Sequence, residues 1–114
     1  MNALQQLEKT LAELLGWTNL EYYEWPIDKL TGTPPDKRGE TWHLPRWTAD
    51  DAAAFQLIVE HDVDVNHWED WAVNTYINFN AQGNLCEYKD YASKAEALRV
   101  SIVASVIMKL KEIK

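Results

Sequence analysis

The chain has 114 residues, 46% of them hydrophobic and 25% charged, with a formal net charge of −7 at pH 7. That is the size and composition of one globular domain. The negative balance excludes a general nucleic-acid binder, which needs a basic face to displace counterions from phosphates, but it leaves room for a small anionic ligand held by a few local donors. Cys86 is the single cysteine, so neither an internal disulfide nor a cysteine-cluster metal site is expected, and it reads as a reduced thiol on a strand. No stretch approaches the ~18 apolar residues that span a bilayer. The N-terminus lacks the basic-then-apolar pattern of a signal peptide, so the expected location is cytoplasmic. Six tryptophans and five tyrosines are many for a chain this short. Several should sit at a rim, a pocket or an interface, where an amphipathic ring is most useful.

Leu4, Leu7, Leu11, Leu14 and Leu15 recur at helical spacing and predict an amphipathic helix over 3–15, with Asn2 as cap and Gly16 as stop. Residues 17–25, WTNLEYYEW, read as a strand that Pro26 ends. Residues 28–40, DKLTGTPPDKRGE, hold two prolines, two glycines and several charges. They read as a mobile, solvated loop or a long hairpin tip. TWHL, residues 41–44, is a short returning strand.

The stretch LPRWTADDAAAF, residues 44–55, contains a helix start. Thr48 reads as the N-cap, with Asp51 completing an acidic variant of the capping box and Trp47 packing back on the first turn. Ala52 to Val59 carry that helix. Pro45, Trp47 and Thr48 thus have structural reasons, and Arg46 has none. Residues 61–70, HDVDVNHWED, read as a polar loop. Two histidines six residues apart match no metal-ligand spacing, and His61 suits a helix C-terminus as a cation.

WAVNTYINF, residues 71–79, alternates cleanly: Trp71, Val73, Thr75, Ile77 and Phe79 face one way, Ala72, Asn74, Tyr76 and Asn78 the other. NAQGN is a turn, and residues 85–91 are the partner strand of an antiparallel hairpin. Ser93 and Glu96 form a capping box for a helix to about residue 112. Its apolar arc is broad enough to be buried against the sheet or a second subunit. Helices separated by antiparallel strands predict an α+β fold, a sandwich of three helices and a small meander sheet in one domain over 1–114.

Gly16-Trp17 before an aromatic strand, the run from Leu44 to Phe55, the alternating hairpin over 71–91 and the last helix over 93–110 together resemble the phage ABA sandwich domain family. The resemblance covers about residues 1–110 and is most specific around the second helix. It departs mildly at Ala92-Ser93-Lys94, where members often carry a proline–glutamate pair. It implies an α-β-α sandwich encoded by a phage or prophage and acting in the host bacterial cytoplasm. It implies no defined reaction and no catalytic residues.

The sequence holds no Gly-rich phosphate loop, no nucleophile motif and no paired glutamates at a recognisable spacing, so a non-enzymatic protein without cofactor or metal is expected. The local positive donors, Lys37, Arg38 and Arg46, lie beside Trp42 and Trp47. With the polar hairpin residues Asn74 and Tyr76 they make a candidate site for a small anionic nucleotide, its base on a ring and its phosphate on arginine. One expected function is an anti-defence homo-oligomer that sequesters a nucleotide-derived signal. Two alternatives stand beside it: an acidic protein–protein inhibitor of a host defence or DNA-binding protein, and a structural or accessory phage protein. No direct nucleic-acid or membrane binding is expected.

Overall fold

Asn2 and Gln5 close a reciprocal cap in the computed structural model, which describes residues 1–77 and 83–113. Asn2 Oδ1 accepts from the Gln5 N–H at 2.8 Å, and Gln5 Oε1 accepts from the Asn2 N–H at 3.0 Å. Helix α1 runs Ala3–Leu14. Gly16, at φ +98°, ends it as expected. Its N–H reaches the Glu13 carbonyl at 3.2 Å, and the Trp17 N–H reaches Ala12 at 3.0 Å, the paired bonds of a Schellman stop.

Strands β1 (Thr18–Tyr23), β2 (Lys29–Thr33) and β3 (Trp42–His43) form the first antiparallel sheet, with β2 central. The expected loop over 28–40 is therefore corrected: its first half is the middle strand, with Leu30 and Thr31 buried. Prolines and charges after Thr33 masked a five-residue segment in which Leu30 and two threonines suit a pleat. Gly32 lets the sheet close there. A Cβ at this position would lie 2.6 Å from Leu20 Cδ2 and 3.2 Å from the Trp17 ring.

Helix α2 runs Asp51–His61, and its N-cap is Asp50 rather than Thr48. Asp50 Oδ1 accepts from the Ala52 N–H at 3.0 Å. Thr48 lies in the turn before that cap, where it donates its N–H and hydroxyl to Glu8. Strands β4 (Asp64–Trp68), β5 (Ala72–Tyr76) and β6 (Asn84–Glu87) form the second antiparallel sheet, in that order. The expected polar loop over 61–70 is thus corrected: its middle, Asp64–Trp68, is strand β4 paired with β5, and His61 ends α2. The partner strand expected over 85–91 stops at Glu87 and turns through a short 3₁₀ segment, Tyr88–Asp90. Residues 80–82 of the NAQGN turn, and 78 and 79 at the end of the preceding strand, lie outside the described residues, while Asn84, the last residue of that turn, already belongs to β6.

Helix α3 (Lys94–Ile113) starts where Ser93 Oγ accepts from the Glu96 N–H at 3.0 Å, while Glu96 Oε1 accepts from the Ala92 N–H at 3.2 Å. It packs against α1 and α2 on one side and β5 and β6 on the other. Arg99 meets Asp51 and Lys109 meets His61, so α2 and α3 run parallel. Leu11, Leu57, Ile102, Val103 and Val106 fill the main core, and Val73, Cys86, Ala97 and Val100 form a second cluster under β5. Cys86 is a buried free thiol on β6, as its strand placement predicted. Between β5 and α3 runs a polar seam. Thr75 Oγ1 donates to the Ser101 carbonyl at 2.8 Å, and Ser105 Oγ donates to the Thr75 carbonyl at 2.9 Å. Every buried side-chain nitrogen and oxygen among the described residues has a hydrogen-bond partner.

Candidate functional site

Glu8 interrupts the apolar stripe of α1. Leu4, Glu8, Leu11 and Leu15 share one helical face, and Glu8 is only 1% exposed. A carboxylate there needs partners. Thr48 supplies its N–H at 3.1 Å and its hydroxyl at 2.9 Å to Oε2, and Arg46 supplies Nε at 3.3 Å to Oε1. Arg46, without a role in the sequence, therefore neutralises a buried acid on another element. Its side chain is still 55% exposed. Only Nε is engaged, which leaves both terminal guanidinium nitrogens without a hydrogen bond among the described residues.

Beside Arg46 opens a cleft of about 200 Å³ between α1 and the first sheet, with Gln5, Asp28, Lys29 and His43 on its walls. Trp47 faces elsewhere. It is buried in the core and edges a separate cleft of about 460 Å³, shared with Trp17, Pro35 and Gln56. Trp42 is exposed on β3, its ring under Lys37 Nζ at 5.9 Å and its Nε1 donating to Glu40 at 3.3 Å. Arg38 lies exposed beyond β2 and makes no side-chain hydrogen bond or ion pair among the described residues. Asn74 and Tyr76 belong to β5 of the other sheet. Among the described residues, no hydrogen bond or ion pair links them to Arg46 or Trp42. Of the expected ligand residues, Arg46 lines the cleft with Lys29 and His43, and Arg38, Trp42, Trp47, Asn74 and Tyr76 do not.

The histidines follow their surroundings. His67 Nδ1 lies 3.0 Å from the Tyr88 hydroxyl. His61 Nδ1 lies 3.5 Å from Lys109 Nζ. Burial, then the Lys109 charge, pushes the His61 pKa below its ordinary 6.5. The cation expected at this helix end is corrected to a ring that favours the neutral form. Among the described residues, no three His, Cys, Asp or Glu side chains group to hold a metal ion. Tyr91 donates to Cys86 Sγ at 3.4 Å, and that bond, with burial, raises its pKa to about 12.

The other prominent surface is aromatic. At the tip between β1 and β2, Trp25 is 85% exposed and Ile27 68%, with Glu24 and Asp28 beside them. Trp68 and Trp71 stand half-exposed on the β4–β5 hairpin, edge to face with centroids 5.8 Å apart. A third cleft, about 310 Å³, runs between α2 and α3 beside the exposed Phe55. Sequence reasoning missed Glu8, Lys29, Trp25 and Ile27. For Glu8 the signal was available, as an acid on a leucine stripe. For Trp25 and Ile27 it was their place around Pro26, at the end of a strand. No helix among the described residues is long and apolar enough to cross a membrane. Comparison with known protein families, curated proteins and solved structures finds no match to this chain.

Proposed function

We propose that this chain is a non-catalytic binding protein that grips a protein partner through an acidic surface carrying aromatic anchors. The observation that carries this is the Trp25–Ile27 tip. It is an indole and an aliphatic side chain that are both mostly in solvent, bracketed by acids, on a chain of net charge −7. Water-exposed apolar groups of this size contribute strongly when a partner covers them, and tryptophan is the residue most enriched among binding hot spots. The acidic surround steers a basic partner and weakens with salt. The interior supports a binding rather than a reacting role, because the Glu8 carboxylate and the Thr75–Ser101–Ser105 hydroxyls are bonded to the fold. The resemblance to phage ABA sandwich domains supports a host component in the bacterial cytoplasm as that partner.

The test is affinity capture from bacterial lysate with the wild-type chain and the Trp25→Ala/Ile27→Ala double variant. The variant is expected to fold as before and to lose the partner, and rising ionic strength is expected to release it from the wild type. Undiminished capture by the variant would overturn the reading.

A second reading has its own observation. The guanidinium of Arg46 is held by Glu8 through Nε alone, so its terminal nitrogens, with Lys29 and His43, can receive a small anion. A nucleotide-derived signal is the ligand class that the phage resemblance favours. Native mass spectrometry of protein purified from bacterial cells tests it, and also reads the number of subunits. A bound small anion that disappears in Arg46→Ala supports this reading, and a clean apo mass from both proteins removes it.

A further inference from the structure

We propose that the outer edge of β4 accepts an extended basic segment of a partner protein as an added strand. The proposal rests on the protein-binding reading above and names a second contact for it. Strand β4 is the outer strand of its sheet and pairs regularly with β5 through five residues, from Asp64 opposite Tyr76 to Trp68 opposite Ala72. Its other edge makes no strand pairing among the described residues. All five of its side chains are exposed, on both faces of the sheet.

An open edge is a template for another strand, and proteins usually blunt it with a bulge, a proline, a lysine or a cover. The other edges here are blunted. β1 carries a register break between Thr18 and Glu21 with Asn19 at φ 53°, β3 has two residues, and β6 has four, with its Asn84 carbonyl accepting from Ser101 Oγ of α3. β4 has a regular register and neither proline nor lysine.

The charge around the edge selects the occupant. Asp62, Asp64, Glu69 and Asp70 bracket the strand. The basic-type side chain within it, His67, is engaged with the Tyr88 hydroxyl at 3.0 Å. Trp68 and Trp71 hold an edge-to-face pair at the hairpin end, a surface suited to a lysine or arginine over a ring and to an aliphatic neighbour. A second copy of this chain fits poorly. The antiparallel register that pairs all five residues of β4 with their counterparts centres on Asn66, and it sets Asp62 opposite Asp70 of the other copy, at both ends. A segment alternating basic and apolar residues meets the acids with one face, and its backbone completes the ladder.

The probe is a short synthetic peptide of alternating lysine and valine, titrated into the intact ¹⁵N-labelled protein. Two control peptides accompany it: the same sequence N-methylated on alternate backbone nitrogens, and its glutamate–valine counterpart. The expected result is saturable shifts at the amides of 64–68, with binding weakened at least about tenfold by N-methylation, which removes ladder hydrogen bonds. The exposed double variant Asp64→Lys/Asp70→Lys is expected to weaken binding by a similar factor. The proposal is overturned if the lysine–valine peptide leaves 64–68 unshifted, if the N-methylated peptide binds equally well, or if sedimentation finds a dimer of this chain whose 64–68 amides are protected from hydrogen exchange only in the dimer. If the peptide fails while Trp25→Ala/Ile27→Ala still abolishes partner capture, the edge proposal falls and the binding-protein reading stands.

Discussion

Removing the Glu8 carboxylate leaves the Thr48 N–H and hydroxyl without their acceptor in a buried position, and leaves Arg46 without its partner. Glu8→Ala is therefore expected to cost about 3 kcal/mol, the range for breaking a buried charged network from its inner side. Arg46→Ala is expected to cost only about 1 kcal/mol, because the arginine is half in water and Thr48 continues to serve the acid. Urea unfolding of the two variants checks the order, and equal losses would contradict the assigned geometry. His61 supplies a pH signature. Its folded pKa lies below the ordinary 6.5, so the unfolded chain takes up the proton first as pH falls. The His61 contribution to stability is complete above 6.5 and is lost as pH falls from there toward the folded value. His61→Gln is expected to flatten the stability profile in that window, measured by thermal melts across pH.

At the scale of elements, caps and close approaches set the boundaries. Asp50→Ala removes the N-cap bond of α2 and is expected to cost about 1 kcal/mol by urea unfolding. The central strand of the first sheet depends on a missing side chain. Gly32→Ala places a Cβ 2.6 Å from Leu20 and 3.1 Å from the Thr18 carbonyl, and is expected to destabilise by about 1–3 kcal/mol. A neutral effect would mean that the Leu20 side chain turns aside without penalty. Helix α3 is the element on which α1, α2, β5 and β6 converge. Ile102→Ala, at 1% exposure, is expected to cost about 2–5 kcal/mol and to lower the melting temperature more than either surface variant proposed above.

Across the whole molecule the apolar groups divide into two populations. Most aliphatic side chains and Trp47 close the core, while Trp25, Ile27 and Phe55 remain mostly in water and Trp42, Trp68 and Trp71 remain about half in it. Solvent-exposed rings of this number cost nothing to the folded state in isolation and are gained by a partner that buries them. Trp25→Ala/Ile27→Ala is accordingly expected to leave the melting temperature within about 2 °C of wild type, since substitutions at exposed sites rarely change stability by more than ~0.5 kcal/mol. Loss of partner capture in that variant then reports the surface alone.

By itself the sequence determined the elements whose signals are local. The leucine spacing and the Asn2 and Gly16 boundaries of α1, the capping box of α3, the alternation of β5 and the α+β class all follow from periodicity and caps within a few residues of chain. Only the tertiary structure decided the rest. Strand β2 exists because Leu30 finds the main core and Gly32 admits Leu20, contacts that no local composition records. Thr48 has the chemistry of a cap, yet it sits in the turn before α2 and donates to Glu8, forty residues earlier in the chain, while Asp50 caps the helix. The pairing of Glu8 with Arg46 is of the same kind. A buried charge selects its partner by distance in space, and that distance is set only when α1 and the segment before α2 have packed together.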